Sequence, residues 1–69
     1  MFTIKLRDEF IKLGQSLKAA GLVESGVEAK LVIQDGKVTV NGEVETHRGK
    51  KLTGGEIVTF NGEDIKIEK

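Results

Sequence analysis

Apolar and polar positions alternate at the start of the chain. Phe2, Ile4 and Leu6 are interleaved with Thr3, Lys5 and Arg7, the period of a short, half-buried strand. Asp8 then stands where it can cap a helix, with Glu9 favourably placed in the first turn. On a wheel of about 100° per residue, Phe10, Leu13, Leu17 and Ala20 share one face. Lys12, Gln15 and Lys18 occupy the opposite arc. Ile11 also falls on that polar arc and needs cover from elsewhere, such as the N-terminal strand. Gly21 follows as a left-handed C-cap residue.

A second helix is predicted from "ESGVEAKLVIQDG". Ser25 with Glu28 three residues later forms a capping box, and Asp35-Gly36 ends the segment. Its apolar residues form two sectors, Val27 with Leu31 and Ala29 with Val32 and Ile33, so the helix is expected to be clamped between two neighbours. The connection to the first helix is short, which predicts a packed pair.

From Lys37 onward the period becomes two. Val38 and Val40 lead to Asn41-Gly42, and Ile57-Val58-Thr59-Phe60 leads to Asn61-Gly62. Asn-Gly is a strong hairpin signal. At the second site a two-residue turn puts Val58, Phe60, Ile65 and Ile67 on one face. At the first, the same turn would set Val44 on the face of Thr39, opposite Val38 and Val40, so a bulge or a wider turn is expected. Gly54-Gly55 reads as a further turn. The predicted order is one strand, two helices, then several short strands.

Sixty-nine residues allow one domain with a small core. There is no cysteine, which removes disulfides, thiolate catalysis and the commonest zinc sites. It also fits a reducing cytoplasm. The single His47 cannot build a multi-histidine site, and no cofactor is expected. No apolar run approaches the ~20 residues of a membrane helix, and acidic residues interrupt the N-terminus before a signal-peptide core could form.

Charge changes the picture by its distribution. Eleven Lys and Arg balance eleven Asp and Glu, and the pI of about 6.6 is low for a nucleic-acid binder. Yet residues 37–51 contain Lys37, His47, Arg48, Lys50 and Lys51 against only Glu43 and Glu45. The "HRGKK" cluster reads in two ways. It is either a phosphate-contacting edge, where Arg forks onto phosphate oxygens and Gly49 permits close approach, or a solvated strand edge. His47 has no nucleophile near it in sequence, and "GKK" lacks the Walker spacing. Lys12, Gln15, Lys18 and Lys30 could join the cluster in one concave basic surface if the helix pair lies beside residues 47–51. Phe2, Phe10 and Phe60 all fall on apolar faces, which leaves little aromatic surface for stacking on bases.

The run "KLGQSLKAAGLVESGVEAKLVIQDGKVTVNGEVETHRGKKLTGGEIV" resembles the S-four RNA-binding domain, named for ribosomal small-subunit protein four. The likeness covers about residues 10–58. Lys12-Leu13 stands at that family's Arg-Leu step, Ser25 at the start of its second helix and Ala29-Lys30 at its Ala-Arg step. Gly36-Lys37-Val38-Thr39-Val40-Asn41-Gly42 stands at its Gly-x-Val-x-Val-Asn-Gly turn, and Gly55-Glu56 at its late Gly-Asp. The chain looks most like the short, stand-alone bacterial members, the YaaA/YbcJ type. Gly14 and Gly26 depart from the pattern, standing where it carries Asp and Arg. The basic residues 47–51 are expected to make up the charge lost at Gly26.

The resemblance implies an α+β fold, with a helix pair on a small, mostly antiparallel sheet (the alpha-L RNA-binding motif), forming one domain over residues 1–69. It implies a non-catalytic module that binds structured RNA, with ribosomal RNA the expected target; the composition adds a cytoplasmic location, and a monomer is expected. Arg48, Lys50 and Lys51 are expected to carry most phosphate contacts, with His47 beside them and Lys12, Gln15, Lys18, Lys30 and Lys37 extending the surface. Ser25 caps its helix and could face a phosphate, and Asn41 holds the turn at the edge of the same surface. The alternative is an adaptor that docks an acidic protein surface through the same lysines.

Overall fold

The computed structural model describes residues 1–69. Strand β1 (Phe2–Lys5) is followed by the short β2 (Ile11–Lys12), helix α1 (Leu13–Ala19) and helix α2 (Gly26–Gln34). Then come β3 (Val38–Val40), β4 (Glu43–Val44), β5 (Lys51–Leu52), β6 (Ile57–Phe60) and β7 (Glu63–Glu68). Five strands form one sheet in the order β1-β7-β6-β3-β4, while β2 and β5 pair separately. Only the β1–β7 pair is parallel. Parallel neighbours need a long crossover, and here almost the entire chain lies between them.

The core joins one face of the sheet to the helix pair. Leu13 and Leu17 of α1, Ala29 and Ile33 of α2, and Val38, Val58, Ile65 and Ile67 of the sheet are buried together, with Val23 and Leu52. The second hairpin has the expected register, with Val58 opposite Ile65 and Phe60 opposite Glu63. Asn61 and Gly62 adopt φ of 54° and 79°, the positive values a two-residue primed turn requires.

Three expectations are corrected. First, α1 starts at Leu13, and Asp8 caps nothing. Ile11 and Lys12 are instead extended and pair antiparallel with Leu52 and Lys51. This pairing gives Ile11 the cover that the helical wheel could not. The helix is capped from within, because the Lys12 N–H donates to Gln15 Oε1 at 3.0 Å. Second, the first Asn-Gly turn contains no bulge: Val40 lies opposite Glu43 and Thr39 opposite Val44. Val44 is left 60% exposed. The turn is fixed by Asn41, whose N–H donates to the Ile57 carbonyl and whose Oδ1 accepts the Ile57 N–H, at 2.8 and 2.9 Å. One valine on an edge strand does not outweigh that. Third, α2 is covered on one side only. Val27 and Leu31 are 68% and 60% exposed, because none of the strands or α1 lies over that side of the helix.

Helix ends follow local chemistry. Ser25 Oγ accepts the Glu28 N–H at 3.1 Å, while the Glu28 carboxylate reaches back to the Glu24 N–H at 2.9 Å. Both helices close on a glycine with φ of +76°, Gly21 and Gly36. In each case the following N–H returns to a carbonyl one turn back, Leu22 to Leu17 and Lys37 to Val32, the Schellman arrangement. The buried Ser16 donates its hydroxyl to the Leu13 carbonyl at 2.6 Å. No helix is long and apolar enough to cross a membrane.

Glu56 orders the turn at Thr53–Gly55 by accepting the N–H groups of Thr53 and Gly54 at 2.9 and 2.8 Å. Burial works against its charge, but the backbone donors outweigh it and hold the carboxyl below its ordinary range. A carboxyl with a depressed folded pKa stabilises the fold above its unfolded pKa. That contribution is lost as the pH falls through the folded value. Glu56→Gln is therefore expected to cost about 1 kcal/mol at neutral pH and to flatten the loss of stability on acidification, read from urea midpoints against pH. The helix start gives a second test. Ser25→Ala should lower stability by about 1 kcal/mol, whereas Asp8→Ala should change it by less than about 0.5 kcal/mol. The reverse order would contradict a helix beginning at Leu13.

Candidate functional site

The basic segment 47–51 is fastened to the start of α1 by the backbone. The Leu13 N–H donates to the Lys50 carbonyl at 2.9 Å and the Gly14 N–H to the Arg48 carbonyl at 3.1 Å. A helix leaves its first N–H groups without internal partners, and here the basic loop supplies them. Gly14 sits at the point of closest approach. A Cβ added there would lie 3.5 Å from Arg48 Cβ and 3.8 Å from Ala29 Cβ, ordinary van der Waals distances, so the loop and α2 close around this position with room for a methyl group. The loop turns on itself through the Lys50 N–H, which donates to the His47 carbonyl at 3.1 Å.

This docking encloses a cleft of ≈ 380 Å³ between α1, the start of α2 and the loop. Lys12, Gln15 and Lys18 line it from α1 and its cap, and Arg48 and Gly49 line it from the loop. Gly14, Gly26 and Ala29 form the rest, and no acidic residue is among them. Neither Lys12, Lys18 nor Arg48 belongs to an ion pair; the three pairs are Asp35–Lys37, Glu45–His47 and Lys66–Glu68. The first turn of α1 holds no acidic side chain either, and its leading N–H groups are already taken up by the Lys50 and Arg48 carbonyls, so the positive charge of the cleft is that of its side chains. A Cβ on Gly26 would meet nothing within 4 Å, which leaves the cleft open there. These features together make a concave surface that carries three cations and no acidic side chain.

A neighbouring hollow of ≈ 670 Å³ shares Arg48 and Gly49 and adds His47, Lys50 and Glu45. His47 is exposed, and its Nδ1 lies 3.0 Å from Glu45 Oε2, which also accepts the His47 N–H at 3.2 Å. That side-chain hydrogen bond is the main reason the Glu45 carboxyl is held below its ordinary range, with partial burial opposing it and the charges of His47 and Lys50 assisting. Lys51 lies directly across the ladder from Lys12. Like charges so placed repel, and the Lys51 ammonium instead sits 4.8 Å from the centroid of the Phe10 ring, a cation–π contact of about 0.5–1 kcal/mol at an exposed site.

The structure thus gathers Lys12, Gln15, Lys18 and Arg48 in one cleft, with His47, Lys50 and Lys51 adjoining. Ser25 is at its rim beside Gly26, its hydroxyl oxygen engaged by the Glu28 N–H. Lys30 is on the exposed side of α2 and outside the cleft. Lys37 is tied to Asp35 at 3.4 Å. Asn41 belongs to a separate depression containing Glu43, Glu45 and Glu56. The sequence reading missed Phe10, which it placed on the buried face of a helix. The misfit of Ile11 on that wheel was the signal that the helix begins later.

Comparison with known proteins accounts for this architecture. The family model for the S4 domain matches residues 4–68. YbcJ of Escherichia coli (strain K12), provisionally named for RNA binding, is 39% identical over 57 residues, covering 83% of this chain and 81% of YbcJ. RlbA of Bacillus subtilis (strain 168), by name a probable ribosome maturation protein, is 41% identical over 59 residues, covering 86% of this chain and 83% of RlbA. The solution structure of E. coli YbcJ, described as revealing an alpha-L motif involved in RNA binding, superposes with a TM-score of 0.76 at 36% identity. That match covers 100% of this chain and 89% of the YbcJ chain. On the match along nearly its full length and on the shared α+β architecture, the chain belongs to the S4 domain family and has the alpha-L fold of YbcJ.

Proposed function

We propose that this protein is a non-catalytic module that binds structured RNA, with ribosomal RNA the foremost candidate, as a cytoplasmic monomer. The observation that carries the reading is the acid-free cleft, in which Lys12, Lys18 and Arg48 converge without ionic partners. The names of its relatives, one for RNA binding and one for ribosome maturation, support the same direction.

The geometry suits a phosphate backbone better than a small ligand. Arg48 offers a planar fork to phosphate oxygens, and Lys12, Lys18 and Lys50 supply mobile charges around it. Gly49 and Gly26 keep the walls low, so a sugar–phosphate strand can approach the backbone. A-form RNA is recognised chiefly by shape, phosphates and 2′-hydroxyls, and a rigid basic concavity provides what that requires. Lys51 adds a further phosphate contact by exchanging the Phe10 ring for an anion. Ser25, Lys30, Lys37 and His47 contribute from the periphery, and Asn41 acts through the turn it stabilises.

Binding is tested with labelled ribosomal RNA fragments titrated at several salt concentrations. Changing Arg48, Lys50 and Lys51 together to Ala should weaken binding at least tenfold. It should also make the plot of log affinity against log salt shallower by about 0.7–0.9 for each phosphate that the variant no longer neutralises. Lys66→Ala, remote from the cleft and paired with Glu68, should leave both quantities nearly unchanged. A folded triple variant with unaltered affinity and salt slope would remove the assignment. Capture of a partner that nuclease treatment does not release would favour the protein-adaptor reading.

A further inference from the structure

Helix α1 and the segment before it also border a second hollow, on the side facing β1. It has a volume of ≈ 540 Å³, and five of its ten lining residues are apolar, within the range of sites that hold drug-sized ligands. Ile4, Leu6, Phe10 and Ile11 form most of its apolar wall. Lys5 and Arg7 stand at it against one acid, Asp8, and none of the three is in an ion pair.

Two side chains join this hollow to the basic cleft. Gln15 lines both. Lys51 lies opposite Lys12 of the cleft and places its ammonium over Phe10 of the hollow. Phe10 itself is unusual in this molecule. The other half-buried aliphatic and aromatic residues, Ile4, Leu6, Ile11, Leu22, Val40 and Phe60 among them, pack against the core, and Phe10 does not. Core packing therefore does not account for an aromatic ring at this position.

We propose that the hollow receives an unpaired nucleotide of the RNA held in the basic cleft, with its base against Phe10 and the apolar wall and its flanking phosphates on Lys5, Arg7 and Lys51. This inference rests on the RNA reading of the cleft. The combination of apolar wall and unpaired cations matches a nucleotide, which has a flat apolar face and an anionic backbone. In the free protein Lys51 covers one face of the Phe10 ring. Drawing its ammonium to a phosphate uncovers that face for the base. The surface then distinguishes an interrupted helix from a continuous one, with no base-edge hydrogen bonds required.

The test uses one RNA hairpin in two forms, fully paired and with a single unpaired nucleotide in the stem. The wild-type protein should bind the interrupted form about tenfold more tightly, the scale of one base stacked on an aromatic ring. Phe10→Leu should abolish that preference while retaining affinity for the paired form. Amide NMR shifts in the wild-type protein provide a readout that depends on no variant: residues 3–11 should move with the interrupted hairpin and not with the paired one. Equal affinity for the two forms, or shifts confined to the basic cleft with both, would overturn the proposal while leaving the RNA reading intact. Failure to bind either hairpin would instead count against the cleft itself. Preferential uptake of an acidic peptide at Phe10 would assign the hollow to a protein partner and overturn the nucleotide.

Discussion

Two backbone hydrogen bonds organise the cleft-bearing half of this molecule, from Leu13 N–H to the Lys50 carbonyl and from Gly14 N–H to the Arg48 carbonyl. They satisfy helix-terminal donors that would otherwise need water. They also hold a glycine-containing basic loop against a helix, which a loop of such composition would not do alone. Helix α1 has only seven residues, too few to be stable in isolation. Its order comes from burying Leu13 and Leu17 in the core. The loop is in turn ordered by the helix, so the position of Arg48 depends on the same packing that closes the core.

This arrangement explains how a chain with no net charge presents a basic cleft. Several of its carboxylates are engaged in structural tasks elsewhere. Glu28 accepts the Glu24 N–H ahead of α2, Glu56 orders the Thr53–Gly55 turn, Asp64 accepts the Thr59 hydroxyl and Asp35 pairs with Lys37. Lys12, Lys18 and Arg48 have no such engagement. Total charge therefore describes the molecule poorly, because these acids serve the fold while Lys12, Lys18 and Arg48 line the cleft without ionic partners.

Much of the architecture was legible because it is governed by local chemistry. The Ser25 cap, the glycines that close both helices and the Asn61-Gly62 hairpin each depend on residues a few positions apart. The basic cluster was equally visible, and its conditional link to Lys12 and Lys18 required only that the helix pair lie beside it. The helix pair does lie beside it, with Lys12, Gln15 and Lys18 in the cleft, whereas Lys30, part of the same expectation, is outside. What could not be read locally was the start of α1, since Ile11 and Lys12 are held extended by Leu52 and Lys51, far along the chain. The exposure of Val27 and Leu31 escaped for a related reason: periodicity identifies an apolar sector, but not whether a chain this short has anything to cover it. Val44 was misjudged because a burial argument was set against a turn whose geometry Asn41 and Gly42 already determine. Of the residues around the cleft, the glycines at 14 and 26 were legible only as departures from the family pattern, and the structure leaves room for a Cβ at both.

The central claim is that the cleft between α1 and residues 47–50 is the surface that meets RNA. Ultraviolet crosslinking of the wild-type protein to RNA in cells, followed by identification of both the crosslinked peptides and the attached RNA, tests it most directly. The account predicts crosslinks concentrated in peptides spanning residues 10–18 and 47–51, joined to a defined structured RNA. Crosslinks on the exposed face of α2 or at the Asn41 turn, with none at the cleft, would contradict it, as would the absence of crosslinked RNA above background from a folded protein.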